Sequence, residues 1–428
     1  MKKTAIIAIL CLALLLSACG LGESAGEKRT RIELTGDTAK VTGGGAKAAG
    51  QVVTIAAGGR YAVSGTLDNG QLVVDTGDDA MDVWLMLEGA SVTNREGAAI
   101  EIRQAKNVYL STLVGTQNRL ASGTEEDLER FDGTQNGAAL FSEDDLILSG
   151  EGELAICGYI NNGVTCKDDL TIESGVVTVF AAGNGLRGSE SVEIKGGTVT
   201  VTSGNDGVKT ASAAKEGKGY VALSGGELTV EARGDGISAE TELTVSGGAV
   251  TVTALGDGLL QSSKALKANT GLVISGGTLS VRAVEDAVRC SGDVTVSGGS
   301  LAIVGESDGI QSGEKGSGLG DITLRGGSVT VSAGQQALHA RGALHLDGGT
   351  VAAYSGSAKQ DPPGESTAVY LFEAVSGTAG DRLSLDGGEP VLTAAFPYLS
   401  VLYSDSTLSP DTACMVTTGA RTIHARTK

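Results

Sequence analysis

The chain has 428 residues and a formal net charge of −19, with 66 Gly, 5 Pro and 3% aromatic residues. A polyanion of this size is excluded as a nonspecific nucleic-acid binder, because it would repel the phosphate backbone; it suits cations and solubility at a surface. One ordinary core is excluded at this length as well, whereas a solenoid escapes the limit because each rung packs only on its neighbours.

Lys2 and Lys3 precede an apolar run from Ala5 to Leu16, which ends in Leu16-Ser17-Ala18-Cys19-Gly20. The run is too short to span a bilayer comfortably and has the layout of a cleaved signal. Leu-Ser-Ala-Cys resembles the bacterial lipobox, in which the Cys is lipidated and becomes the new N-terminus. That resemblance implies a signal peptide over 1–18, lipid on Cys19, a flexible tether over 19–30 and attachment to the extracellular face of the bacterial cell membrane. An ordinary secretory signal with an incidental Cys is the other reading. Loss of Lys2 and Lys3 takes the formal charge from −19 to −21.

Residues 31–137 read as an N-terminal cap with irregular first rungs. Val52-Val53-Thr54-Ile55, Gln71-Leu72-Val73-Val74-Asp75, Val83-Trp84-Leu85-Met86-Leu87 and Ala99-Ile100-Glu101-Ile102 are strand-like, and Trp84 is assigned to capping the solenoid end. Asn118 to Gly137 breaks the pattern as a charged excursion with at most one helical turn.

Regular rungs run over 138–356. Asn162-Gly163, Asn184-Gly185, Asp206-Gly207, Asp235-Gly236, Asp257-Gly258, Asp286-Ala287 and Asp308-Gly309 recur at spacings of 22, 22, 29, 22, 29 and 22 residues. Between them lie two alternating runs separated by Gly-Gly, as in Val192-Glu193-Ile194-Lys195-Gly196-Gly197-Thr198-Val199-Thr200-Val201. Period-two alternation reads as strand, and Gly-Gly and Asp-Gly read as corners. Three short strands in about 22 residues make one rung of a parallel β-helix, expected right-handed. Inserts of small, polar and Lys-bearing residues (Ala211 to Gly219, Ser262 to Thr270, Ser312 to Gly320) are expected at one common corner. Residues 357–428 read as a frayed last rung, Leu383-Ser384-Leu385-Asp386-Gly387-Gly388, and a C-terminal cap.

Cys166 and Cys290 share one slot five rungs apart, roughly 24 Å at the strand spacing, and cannot pair. They read as buried thiols, while a Cys157–Cys166 bridge is a weaker option. No cysteine spacing resembles a zinc site.

Asp206, Asp235, Asp257, Asp286 and Asp308 should stack along one corner, with Asn162 and Asn184 before them and Gln335 after. Asn makes the same turn, so the turn alone does not call for five carboxylates. Neighbours about 5 Å apart repel by roughly 3 kcal/mol at an effective dielectric near 20. Calcium, which takes about six to eight oxygens, would answer that repulsion. A solvated ladder relieved by nearby bases is the alternative. Arg187, Lys209 and Arg289 follow the inward residue of their rungs and serve either as internal partners or as contacts for a uronate ligand. Outward Thr and Ser ladders (Thr200, Thr229, Thr251, Ser280) could also meet a sugar chain or only solvent. The Asp144-Asp145 and Asp168-Asp169 pairs could suggest catalytic carboxylates, but their repetition at one turn is structural.

The rung grammar, Phe141-Ser142-Glu143-Asp144-Asp145-Leu146, Lys167-Asp168-Asp169-Leu170-Thr171-Ile172 and Tyr61-Ala62-Val63-Ser64-Gly65-Thr66-Leu67 together resemble the bacterial carbohydrate-binding β-helix family. Polygalacturonate-binding surface proteins of biomass-degrading anaerobes typify that family. The resemblance covers roughly 31–356 and implies a right-handed parallel β-helix, bound calcium, an acidic plant-type polysaccharide as partner and no catalysis. The chain is therefore expected to be a monomeric, lipid-anchored, non-enzymatic binder of polygalacturonate or pectin. The departures Asp286-Ala287 and Gln335-Gln336 put ligands beyond Asp308 in doubt. The alternatives are a calcium-dependent polysaccharide lyase of the pectate-lyase type and an adhesin without a sugar ligand.

Overall fold

A computed structural model describes residues 29–130, 137–212, 214–256, 262–314, 319–357 and 363–428. The signal segment, Cys19 and most of the tether lie outside them. Among the described residues no helix is long and apolar enough to cross a membrane.

Hydrophobic alternation becomes a coil of three faces. Face one stacks Asp145–Gly150, Asp169–Ile172, Ser191–Ile194, Tyr220–Leu223, Glu242–Val245 and Gly271–Ile274 in parallel. Face two stacks Glu153–Gly158, Val176–Ala181, Thr198–Ser203, Glu227–Ala232, Ala249–Ala254 and Thr278–Ala283. Face three stacks Asn162–Cys166, Leu186–Gly188, Val208–Thr210, Ile237–Ala239, Leu266–Ala268, Val288–Cys290, Ile310–Ser312 and Leu338–Ala340. The expected β-solenoid is what the chain forms. Alternate residues point inward, so Val164, Leu186, Val208, Ile237, Leu266, Val288, Ile310 and Leu338 make one aliphatic column, each no more than 1% exposed. Each such side chain contributes about 1.5–3 kcal/mol by leaving water.

The two kinds of corner glycine have different causes. Gly248, second of its Gly-Gly pair, has φ +85°, a conformation that side chains resist. Gly207 has no such φ; a Cβ there would lie 2.2 Å from Val230 Cγ1 and 2.6 Å from the Gly236 carbonyl oxygen. The Asp-Gly glycine is therefore a close-packing residue rather than a turn residue.

Antiparallel pieces close both ends. Thr30–Gly36 pairs with Ala39–Thr42, and Ala46–Ala49 with Val52–Ile55, which covers open strand edges. At the other end Ser400–Ser404 runs antiparallel to Leu344–Ser355. Leu383 to Gly388, read from sequence as a last rung, belongs elsewhere: Arg382–Leu385 joins an antiparallel sheet with Ala413–Thr418 and Arg421–Arg426. Tyr354, Tyr398, Val401, Cys414 and Val416 form a second core there.

Other local expectations also change. Trp84 does not cap an end; it projects from face one and stacks on Tyr109 with centroids 5.4 Å apart. The charged excursion contains one 3-10 stretch, Glu125–Arg130. Cys166 and Cys290 are buried free thiols, and Cys157 is free as well; Cys157 lies on face two in register with Phe180, away from the slot of Cys166. The inserts occupy two corners rather than one. Residues 211–219 and 313–321 lie between face three and face one, each clasped at its base: Thr210 Oγ1 donates to the Gly219 carbonyl and Ser312 Oγ to that of Gly320, both at 2.7 Å. The third insert comes before its face-three strand, Leu266–Ala268, at the corner after Ala249–Ala254.

Candidate functional site

The corner that precedes face three carries the Asn/Asp ladder. Each side chain accepts the backbone N–H of the next rung through Oδ1. Asn162 takes Asn184 N at 2.8 Å, Asn184 takes Asp206 N at 3.3 Å, and Asp206 takes Asp235 N at 2.8 Å. Asp235 takes Lys264 N at 3.0 Å, Asp286 takes Asp308 N at 3.1 Å, and Asp308 takes Gln336 N at 2.9 Å. The ladder is thus a run of side-chain acceptors for otherwise unpaired corner amides, a role that Asn and Asp share.

Two positions differ from the sequence reading. The slot between Asp235 and Asp286 belongs to Lys264, and the slot after Asp308 to Gln336 rather than Gln335. Asp257 lies outside the described residues. Both Asp257-Gly258-Leu259 and Lys264-Ala265-Leu266 fit the rung pattern, but Leu266 is the residue that pairs with Ile237 and Val288. A lysine there also splits the run of acids.

In three of the four described ladder acids the second carboxylate oxygen is occupied as well. Asp206 Oδ2 meets Lys209 Nζ at 2.6 Å, Asp235 Oδ2 meets Lys267 Nζ at 3.0 Å, and Asp308 Oδ2 meets His339 Nδ1 at 2.6 Å. Burial pushes the Asp235 carboxyl up, but Lys267, Ser262 and the Lys264 N–H outweigh it and hold the group below the ordinary carboxylate range. Burial, then the charge of Asp308, keep Asp286 above that range. Calcium needs about six to eight convergent oxygens. Among the described residues no three His, Cys, Asp or Glu side chains are grouped to hold a metal ion. Among the described residues the ladder offers no such convergence: the Oδ1 of Asp206, Asp235, Asp286 and Asp308 each hold an amide, and three of these four acids also hold a base.

The outward side of face three is the chemically distinctive surface. Strand register lines up Glu101, Phe141, Thr165, Arg187, Lys209, Ser238, Lys267, Arg289, Gln311 and His339 on successive rungs. The three bases singled out from sequence fall in this one column. Lys209 is tied to Asp206, whereas Arg187 and Arg289, both half-buried, form no ion pair or hydrogen bond among the described residues. A groove of about 810 Å³ opens at the Arg187 end, its lining including Phe141, Thr165, Lys167 and Arg187 together with Glu96, Glu101 and Glu143. Phe141 and Lys267 were missed from sequence. Lys267 was assigned to an insert, and Phe141 was not aligned with the outward slot that its in–out–in neighbours Leu140 and Ser142 mark.

The paired acids sit at the corner after face three. Asp144 Oδ2 accepts Ala105 N at 2.8 Å, Asp145 Oδ1 accepts Asp169 N at 3.2 Å, and Asp169 Oδ1 accepts Ser191 Oγ at 2.6 Å. They are corner acceptors. The 211–219 insert folds back over them: Lys218 Nζ reaches Asp169 at 2.6 Å and Glu190 at 3.4 Å, and Lys215 contacts Glu190. Burial, reinforced by Glu190, pushes Asp168 up to about 6.

The family model described as carbohydrate-binding domain-containing protein matches residues 49–305 and 256–426. A carbohydrate-binding domain-containing protein of Acetivibrio thermocellus is 31% identical over 188 residues, which cover 42% of this chain and 65% of that protein. The chain thus spans just under two thirds of that relative. A solved structure, the gadolinium derivative of a polysaccharide lyase-like protein from C. thermocellum, aligns with a TM-score of 0.50 at 30% identity, covering 54% of this chain and 92% of that one.

Proposed function

The chain belongs to the carbohydrate-binding domain-containing family, and from that premise we propose that it binds an acidic polysaccharide on the outward side of face three without cleaving it. The observation that carries this reading is the Arg187–Arg289 column. Two guanidinium groups project from one sheet face of a chain with net charge −19, with no carboxylate paired to either among the described residues. A guanidinium binds a carboxylate through two parallel hydrogen bonds. A polyuronate such as polygalacturonate supplies such carboxylates, and Phe141, two rungs before Arg187, offers an apolar surface to a sugar ring. Contact is direct, since the ladder carboxylates are occupied. The absence of cleavage belongs to the proposal: Asp144 and Asp145 serve backbone amides and Asp169 serves Ser191 and Lys218, so the pairs are committed within the fold.

The test is titration calorimetry with de-esterified polygalacturonate and with a neutral polysaccharide, on wild type and on Arg187→Ala/Arg289→Ala. Binding to the acidic chain alone, abolished in the double variant and weakened by salt, is the expected result. Equal affinity for the neutral chain would remove the site, and release of unsaturated oligomers would make the protein a lyase. Export and lipid attachment through Cys19 complete the proposal, holding the solenoid at the outer face of the cell membrane. Cys19→Ala should move the protein out of the membrane fraction; unchanged fractionation would remove the anchor.

A further inference from the structure

Resting on the reading that face three binds a polyuronate, we infer that the polysaccharide lies along the solenoid axis, one sugar per rung, and that Arg187 and Arg289 grip it at two points four rungs apart. Arg187, Lys209, Ser238, Lys267 and Arg289 occupy five consecutive strands in unbroken register. Stacked strands are about 4.8 Å apart, so the two guanidinium-bearing strands are separated by about 19 Å. A pyranose ring with its glycosidic oxygen advances an extended chain by nearly the same distance as one strand spacing. A polyuronate laid along the column therefore advances by one sugar per rung. A chain laid parallel to the strands would meet only one residue of the column and could not reach both arginines.

The middle of the column is suited to a neutral role. Lys209 and Lys267 keep their charge balanced by Asp206 and Asp235 at 2.6 and 3.0 Å, and Ser238 is a short, buried hydroxyl. These three donate hydrogen bonds, while the ends supply unbalanced charge. The column also has bounds. Beyond Arg187 come Thr165, Phe141 and then Glu101, which would repel a further uronate; beyond Arg289 comes Gln311. The site thus spans about five sugars, the number of strands from Arg187 to Arg289 at the strand repeat, and selects for unesterified uronates at its two ends. A methyl ester at either end would leave one guanidinium without its carboxylate.

The experiment measures affinity for homogeneous de-esterified oligogalacturonates of increasing length, from the dimer upward. Affinity is expected to climb until about five residues and then flatten, the length set by the strand repeat. Arg289→Ala should cost roughly tenfold for the longer oligomers, the scale of one lost charge-assisted pair, and leave the dimer and trimer unchanged. Arg289→Lys should recover part of the loss. Full affinity already at the dimer, insensitive to Arg289→Ala, would overturn the axial register while leaving the binding face intact. No binding at any length would instead overturn the reading of the face itself.

Discussion

Asp235 is the ladder residue whose replacement separates a backbone role from a charge role. It is 2% exposed; its Oδ1 accepts Lys264 N at 3.0 Å and Ser262 Oγ at 2.6 Å, and its Oδ2 faces Lys267 Nζ. Asp235→Ala leaves a corner N–H without an acceptor, which costs about 1–3 kcal/mol. Asp235→Asn keeps an oxygen where Asn162 and Asn184 hold theirs at 2.8 and 3.3 Å. Asn loses only the pair with Lys267, about 1 kcal/mol, because that ammonium can turn to water. A solenoid can unfold in segments, so the assay joins urea denaturation to amide hydrogen exchange at Lys264. Ala should shift the midpoint well beyond Asn and release the Lys264 amide, while Asn leaves it protected. Equal losses for Asn and Ala, with unchanged protection in both, would refute the backbone role. The pH dependence has a fixed sign. The folded carboxyl lies below its ordinary value, so its stabilisation is present above about pH 4 and is lost as pH falls through the folded value. Asp235→Asn should flatten that acid limb.

The fold was legible because a solenoid writes its period into the sequence: β-branched alternation and Gly-Gly pairs recur wherever a rung does. The phase of the third insert was not legible. Asp257-Gly258-Leu259 matches the ladder pattern better by composition than Lys264-Ala265-Leu266, and only strand pairing decides between them. That one ambiguity concealed Lys267, whose place in the basic column depends on the phase. The meaning of the ladder was also beyond the sequence. Five aligned acids suggest a metal when their oxygens are assumed free, but in Asp206, Asp235, Asp286 and Asp308 the Oδ1 is committed to an amide one rung away, at separations of 22 to 29 residues. Arg187, Lys209 and Arg289 were readable because they occupy the same in–out–in position of their own rungs. Phe141 precedes the first Asn-Gly corner, Asn162-Gly163, and had no such frame.

Further outcomes follow from the same charges. Replacing excess calcium by chelator should leave the melting temperature of the wild type unchanged; a fall would return calcium to the ladder corner. Asp168, pushed up to about 6 by burial and by Glu190, favours the protonated form in the fold, so its contribution is full below about pH 4 and is lost as pH rises through 6. Asp168→Asn should therefore raise the melting temperature at pH 7 and lose that gain near pH 4; a gain independent of pH would assign the effect to something other than charge. The last test concerns Lys264, which stands between Asp235 and Asp286 and also contacts Glu285. Lys264→Asp recreates five carboxylates in a row, Asp206 to Asp308. Each new neighbouring pair, one strand spacing apart, repels by roughly 3 kcal/mol at an effective dielectric near 20, and Glu285 loses its partner. Protonation removes the repulsion, so the loss should be large at pH 7 and small near pH 4. Calcium should then raise the melting temperature of Lys264→Asp while leaving the wild type unmoved, because only the variant has carboxylates in excess of their amides and bases. A variant that melts with the wild type at low ionic strength would mean that the carboxylates do not sense one another, and that the lysine has no part in keeping this corner folded.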